Sequence, residues 1–331
     1  MTDVTELRRA RFERETISCP VCGSQESEFE LEKNGYTLVR CTPCSLVYVN
    51  PMPLQAEIEE FYRREYYDQQ AFKEVMGFPH HYLNDRDPVE VASIVPVLKL
   101  LERFSVPGRL LDIGCGDGMF LRIAREWGWD PCGVEPSSKA ASEAQSAGIP
   151  VVNSPVTEAE LEPHSFDAIV CLQVIEHVPD PISLLSCAHR WLKAGGVLLV
   201  STPNVLSLER RQHGVGWVSF TPPGHLVYFS IPSMRLALSK TGFARPHFFT
   251  NSVVIHPPSL SGAFKQFRSA SAAQRPSSAT GPIAVPTRPA PLDPARAIYD
   301  RLLLTLNEWL GRVLNRQGRD LVVVARAAQT P

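Results

Sequence analysis

With 331 residues, 44% of them hydrophobic and 21% charged, the chain is long enough to bury a full core and to carry more than one domain. Its formal net charge of −2 leaves no basic excess to grip a phosphate backbone, so a nucleic-acid partner is not expected. There is no apolar run long enough to span a bilayer, and the polar start MTDVTELRRARFERE lacks the apolar core of a secretion signal. A cytoplasmic protein with reduced thiols and no membrane partner is the expectation. Arg8, Arg9, Arg11 and Arg14 near the start, and Arg210 with Arg211 farther on, read as solvated charge.

The first chemistry in chain order is a pair of C-x-x-C turns, Cys19 with Cys22 and Cys41 with Cys44, eighteen residues apart. Each turn aims two sulfurs at one point, and two turns complete a tetrahedron, which is the pattern of a four-thiolate zinc site. Gly23 permits the left-handed turn common after such a pair, whereas Ser45 follows the second. Disulfides are disfavoured without a secretion signal, and a redox C-x-x-C would be single and set near a βαβ unit. Four thiolates leave no open coordination position, so the Zn2+ is structural, and its binding lets a small ribbon (residues 1–55) fold with little core. Cys115, Cys132, Cys171 and Cys187 are scattered through strand and helix patterns and read as small core residues.

A strand and then a helix follow in SLVYVNPMPLQAEIEEFYRREYYD, the start of a helical connector over 56–104. Tyr62, Tyr66 and Tyr67 on that helix could line the mouth of a site for a cation. Packing of the ribbon onto the main domain is the favoured role for most of them.

At 110–121 comes LLDIGCGDGMFL, where an apolar run ends in Asp112 and Gly114, Gly116 and Gly118 follow at alternate positions before a helix. A buried parallel strand running through such a turn brings backbone N–H groups and a helix N-terminus beside a ligand. The spacing is G-x-G-x-G, not the G-x-G-x-x-G of a pyrophosphate site. WDPCGVEPS reads as a second strand ending in Glu135, whose carboxylate suits a ribose diol. SFDAIVCLQVIEHVPDP (165–181) and LKAGGVLLVSTPN (192–204) read as two more strands with their loops, the first carrying Glu176 and His177.

These four blocks, in this order, resemble the class I S-adenosylmethionine-dependent methyltransferases over about residues 105–252. With CPVCG and CTPCSLVYVNP ahead of them, the chain resembles the bacterial zinc-ribbon methyltransferases, a group that includes sugar C-methyltransferases. The resemblance implies an α/β fold with a Rossmann-like, seven-stranded, mostly parallel sheet whose last strand is antiparallel. It also implies S-adenosylmethionine held by Asp112, Gly114, Gly116, Gly118 and Glu135. The adenine is expected near Asn153–Thr157, with the backbone around Val156, and Gln173 is expected to face the methionine part.

A long loop, 203–230, follows the fifth strand and carries Trp217, Phe220, Tyr228 and Phe229. A loop of this length at the carboxyl edge of a sheet is expected to be functional. GHLVYFS resembles the sugar C-methyltransferase segment that contains a functional histidine, here His225. The Tyr and Glu of that pattern are replaced by Pro222, Pro223 and Gly224, so only His225 carries over. His225 and His177 are the candidate catalytic residues, since a base near neutrality suits a phenol or alcohol acceptor. For His177 the competing role is to shape the cofactor pocket through hydrogen bonds.

SMRLALSKTGF (233–243) reads as an amphipathic helix and ARPHFFTNSVV as a sixth strand. Residues 256–294, rich in Ser, Ala and Pro, read as a disordered insertion whose position suits a lid or a homodimer contact. A helix with Ile298, Leu302, Leu306 and Leu310 on one face comes next, and RDLVVVARA (319–327) reads as the last strand, beside the fifth. The methyltransferase domain is therefore expected to span 105–255 and 295–331. The function expected is methylation of oxygen or carbon on a small-molecule acceptor, such as a sugar, a quinone-like ring or a natural-product intermediate. The alternatives weighed are an RNA methyltransferase that grips nucleic acid with its ribbon, and a non-enzymatic module with a decayed cofactor site. Intact Asp112, Gly114, Gly116 and Glu135 count against decay.

Overall fold

Residues 11–66, 68, 88–250 and 320–328 are described by the computed structural model. The N-terminal part is built of short strands: β1 (Arg14–Glu15), β2 (Ser27–Lys33), β3 (Tyr36–Cys41), β4 (Val47–Val49) and β5 (Met52–Pro53), followed by helix α1 (Gln55–Arg64). Strands β2, β3 and β4 form an antiparallel ribbon, and β1 pairs with β5.

Helix α2 (Pro88–Glu102) leads into the large sheet. Its elements in order are β6 (Arg109–Ile113), α3 (Met119–Glu126), β7 (Asp130–Val134), α4 (Ser138–Ser146), β8 (Val151–Val152), β9 (Phe166–Leu172), α5 (Pro181–Trp191) and β10 (Leu192–Pro203). After them come α6 (Leu208–His213), β11 (Val227–Tyr228), α7 (Ile231–Lys240), β12 (Phe243–Thr250) and β13 (Asp320–Ala327). The seven strands lie in the order β12-β13-β10-β9-β6-β7-β8. Strands β6 to β10 are parallel, and β13 is antiparallel to both β10 and β12, so the last strand enters beside the fifth as expected.

Successive strand residues point to opposite faces of a sheet, and the two faces are visible as two apolar clusters. Leu110, Ala168, Val170, Val197, Leu199 and Val324 pack with Leu98 and Leu101 of α2 and Leu121 and Ala124 of α3. Leu111, Ile169, Leu198, Val200 and Val323 pack with Leu184, Leu185 and Trp191 of α5 and Leu238 of α7. That second cluster also takes in Leu38, Leu46, Val47 and Tyr48 of the ribbon. Each large apolar side chain so buried contributes about 1.5–3 kcal/mol.

The long loop does not simply cross the edge of the sheet. Within it β11 pairs antiparallel with β4, Val227 opposite Tyr48 and Tyr228 opposite Val47, so a piece of the long loop is the fourth strand of the ribbon's sheet. Phe229 makes a parallel bridge to Asn204 just after β10. Two element limits differ from the sequence reading. Helix α7 begins at Ile231, ahead of residue 233, because Ser230 and Ser233 cap it reciprocally and Pro232 fits its first turn. It ends at Lys240 because Gly242 turns left-handed, φ 84°, and releases Phe243 into β12. Arg14 and Arg210 are not merely solvated: Arg14 stacks over Tyr36 at 3.9 Å, and Arg210 pairs with Glu30, which also binds Arg40. Tyr67, the insertion 256–294, the end of the sixth strand and the helix around Ile298–Leu310 lie outside the described residues.

Gly133 in the middle of β7 is required by close approach, since a Cβ there would lie 2.4 Å from Cys115 Sγ and 3.2 Å from Leu121 Cδ1. Gly133→Ala should therefore destabilise the protein by about 1–3 kcal/mol, the usual cost of overpacking, read as a lower urea midpoint.

Candidate active site

Every parallel strand ends at the same edge of the sheet, and the strand order reverses between β6 and β9, where open α/β sheets bind ligands. The glycine turn leaves β6 there. Gly114, Gly116 and Gly118 have φ of 74°, 54° and 76°, conformations a side chain resists. A Cβ on Gly114 would lie 2.5 Å from Val174 Cγ2, so this turn and the loop after β9 are in contact. Asp112 is buried, and burial together with the neighbouring charge of Glu135 holds its carboxyl well above the usual carboxylate range.

Glu135 stands at the end of β7 and is fixed by two backbone donors. Gly116 N–H reaches Oε2 and Ser137 N–H reaches Oε1, each at 2.9 Å. Burial raises this carboxyl to about 7 against the pull of those two N–H groups. Each oxygen keeps a lone pair for a further donor. Asn153 is committed elsewhere: its amide donates to the carbonyls of Glu135 (2.8 Å) and Pro136 (3.0 Å), and its Oδ1 accepts from Ser138. It clasps β7 to β8, with both amide hydrogens spent and one lone pair of Oδ1 left for a further donor. Val156 is half-buried and packs against the core. Gln173 follows β9 in a left-handed conformation, φ 55°, and its side chain donates to Ser201 Oγ at 3.0 Å.

The two histidines meet. Their ring centroids are 4.7 Å apart and nearly perpendicular, at 81°. A carbonyl can only accept, so each Nδ1 contact with a carbonyl assigns the proton to Nδ1. His225 Nδ1 donates to the Ser219 carbonyl at 2.8 Å, which leaves the lone pair on Nε2. His177 Nδ1 donates to the Gly224 carbonyl at 2.7 Å and lies equally close to the Tyr62 hydroxyl. Burial pushes His225 down to about 3, with the His177 charge adding to the effect, and burial pushes His177 down to about 4. Glu176, next in sequence to His177, is fully buried and raised to about 8 by that burial. One oxygen of Glu176 and one nitrogen of each histidine lie within 4.8 Å of one another.

Tyr62 is the residue that the sequence reading undervalued. Packing is part of its role, since it stacks on Tyr66 at 4.6 Å and edges against Phe61, but its hydroxyl also reaches His177 from α1. Its place on the inner face of an amphipathic helix was readable; its partner, more than a hundred residues away, was not. The Ser219 carbonyl, which fixes the tautomer of His225, had no signature in the sequence at all.

The four cysteines of the ribbon also converge. Cys19 and Cys44 Sγ are 3.5 Å apart, Cys22 and Cys41 Sγ 3.4 Å, and all four sulfurs fall within 4.8 Å of one another. Ser45 takes the same turn as Gly23, with φ of 62° against 80°, and its N–H donates to the Cys41 carbonyl just as that of Gly23 donates to Cys19. The departure in sequence is no departure in conformation.

A family model described as a methyltransferase domain matches residues 88–245. The ubiquinone biosynthesis O-methyltransferase of Pseudomonas aeruginosa (strain UCBPP-PA14) is 35% identical over 130 residues, 37% of this chain and 53% of the relative. That of Pseudomonas syringae pv. tomato is 38% identical over 131 residues, with the same coverage. The chain thus spans about half the length of these relatives. Among solved structures, a SAM-dependent methyltransferase from Archaeoglobus fulgidus aligns with 71% of this chain and 94% of its own, at 18% identity and a TM-score of 0.45. Residues 88–245 thus match a methyltransferase domain, carried on the seven-stranded sheet described above and preceded by a four-cysteine ribbon. Among the described residues, no helix is long and apolar enough to cross a membrane.

Glu135 and Glu176 keep their protons in the folded chain at pH values where the unfolded chain has lost them. Stability should therefore fall as pH rises from about 5 to about 8. His177 and His225 act with the opposite sign, because the unfolded chain takes up protons below about 6.5 and the folded chain does not. The melting temperature of the free protein should thus peak near pH 5–6 and decline on both sides, measured by scanning calorimetry in buffers of equal ionic strength.

Proposed function

We propose that the protein transfers a methyl group from S-adenosylmethionine to a hydroxyl oxygen of a small-molecule acceptor. The observation that carries this reading is the His225 tautomer, with Nδ1 committed to the Ser219 carbonyl and Nε2 left as an acceptor, at the sheet edge where the glycine turn and Glu135 stand. The domain match supports the donor, and the names of the curated relatives support oxygen as the acceptor atom. The division proposed is a ribbon over 1–55, a connector over 56–104 and a catalytic domain over 105–255 with 295–331.

The bound donor supplies a methyl group already activated on a sulfonium. In the proposal Gly114, Gly116 and Gly118 give it a backbone surface free of Cβ atoms. Glu135 accepts the ribose hydroxyls, Asp112 joins it in holding the donor, and Val156 and Gln173 flank the adenine and methionine ends. Little else is required than alignment of the acceptor and exclusion of water. His225 takes the acceptor proton at Nε2, and His177, held by Gly224 and Tyr62, keeps the His225 ring in place. Because burial depresses His225, the acid limb of the rate lies below the ordinary histidine range. Cys19, Cys22, Cys41 and Cys44 fit one structural zinc: thiolates about 2.3 Å from a tetrahedral ion are about 3.8 Å apart, near the separations of 3.4 and 3.5 Å.

Glu135→Ala should weaken donor binding by about 1–3 kcal/mol in titration calorimetry. His225→Ala should lower turnover by roughly a hundredfold with donor affinity kept. The decisive assay offers labelled donor to the small-molecule and RNA fractions of a cell extract. Labelling of the small-molecule fraction, insensitive to salt, is expected, and salt-sensitive labelling of RNA alone would overturn the reading.

Cys44→Ser should release the metal and loosen the strand pair that carries His225, because the Cys41–Cys44 turn leads straight into β4. The expected result is less than one zinc per chain by elemental analysis. Faster hydrogen exchange at 47–49 and 226–228 should accompany it, with exchange in β6 unchanged.

A further inference from the structure

We propose that Glu176 is the counter-charge of the transfer site: it gives up its proton when the sulfonium donor binds, and it then holds the imidazolium that His225 becomes. This rests on the donor reading above and adds a residue to it. Glu176 is 0% exposed, and neither of its carboxyl oxygens has a hydrogen-bond partner among the described residues. Buried carboxyls are normally satisfied by donors, so an unsatisfied one needs a reason. The reason offered is a cation that the free protein lacks.

The surroundings fit that reason. A Glu176 oxygen, a His177 nitrogen and a His225 nitrogen lie within 4.8 Å of one another. The backbone locks the pair together, since Leu226 N–H, one residue past His225, donates to the Glu176 carbonyl at 2.7 Å. The groups that face Glu176 are Cys171 on β9, Thr202 on β10, Asp320 on β13, Tyr228 on β11 and the two histidines. None is a cation at neutral pH: burial raises Cys171 and Tyr228 and lowers both histidines, Asp320 opposes ionisation, and two neutral donors, the backbone N–H of Glu176 itself and the Thr202 hydroxyl, favour it. The glycine turn lies against Val174, two residues before Glu176, so a donor held by that turn brings its positive charge to this loop.

Charge balance then follows the reaction. The acceptor oxygen uses a lone pair to form the new C–O bond, the pair of the broken S–CH3 bond stays on sulfur, and the O–H proton passes to Nε2 of His225. One positive charge leaves sulfur and one appears on the imidazole. An ionised Glu176 faces a cation before and after the step, so the buried site is never left with an unpaired charge.

The test compares S-adenosylmethionine with S-adenosylhomocysteine, which has the same ribose and adenine but a neutral sulfur. Proton release on binding is measured by titration calorimetry at pH 7.5 in two buffers of different ionisation heat. Wild type should release about half a proton more with the sulfonium than with the thioether. E176Q, which copies the shape of the neutral acid and so should fold, should bind both ligands within about threefold of wild type and show no difference between them. Its turnover should fall at least tenfold, with the acid limb of the rate moved to lower pH because His225 has lost its anion; E176D should restore part of both. Equal proton release with the two ligands in wild type overturns the proposal but leaves the donor reading standing. Failure of wild type to bind S-adenosylmethionine overturns both. A stoichiometric Mg2+ or Mn2+ bound by wild type and lost in E176Q would also overturn it, by making the three side chains a cation site.

Discussion

One strand pair holds the site together. Val227 and Tyr228 lie antiparallel to Tyr48 and Val47, and between that pair and His225 stands Leu226, whose N–H donates to Glu176 and whose carbonyl accepts from Val49. A single residue of backbone thereby joins the loop after β9 to the ribbon. The segment that carries His225 is not free to seek its own conformation, because its main-chain groups are spent on both neighbours. The catalytic role proposed for His225 needs this kind of support, since a reacting side chain must be held to within a fraction of an ångström.

The ribbon is thus more than an appendage. Its apolar side chains belong to the same buried cluster as one face of the large sheet, and its β2 and β3 are tied to the long loop by Arg210 and Arg40 on Glu30. Lys33 donates to Val215 and Asn34 to Pro222 across the same boundary. Four cysteine sulfurs converge on one point at the turn from which β4 leaves, and β4 and β11 link that turn to the segment of His225.

The surroundings of Glu135 and those of the two histidines follow different electrostatic logic. At the first, a carboxyl is raised by burial yet steadied by two backbone N–H groups, so it is prepared for donors from a ligand. At the second, two imidazoles are kept neutral by burial, and the carboxyl beside them has no cation among the groups that face it. Neutral histidines can accept a proton at physiological pH, but the charge that results must be answered nearby, because a buried imidazolium alone is costly.

Much of this was legible in the sequence, since it rests on short-range rules. The glycine spacing after Asp112 forces a left-handed turn, C-x-x-C pairs close on one point, and β-branched and aliphatic runs make buried parallel strands. Strand order, and the antiparallel entry of β13, came with the resemblance to a known fold. What the chain order could not disclose is which distant backbone groups would meet. Asn153 was expected near an adenine and clasps two strands. Tyr62 was expected mainly to pack and reaches His177. Ser219 fixes the tautomer of His225 through a carbonyl, a group every residue has, so no sequence pattern can mark it. Local spacing determined the turns and the ribbon and marked His177 and His225; how the two rings meet was decided by tertiary packing, because their Nδ1 atoms are held by main-chain carbonyls of the long loop and by a hydroxyl brought in from α1.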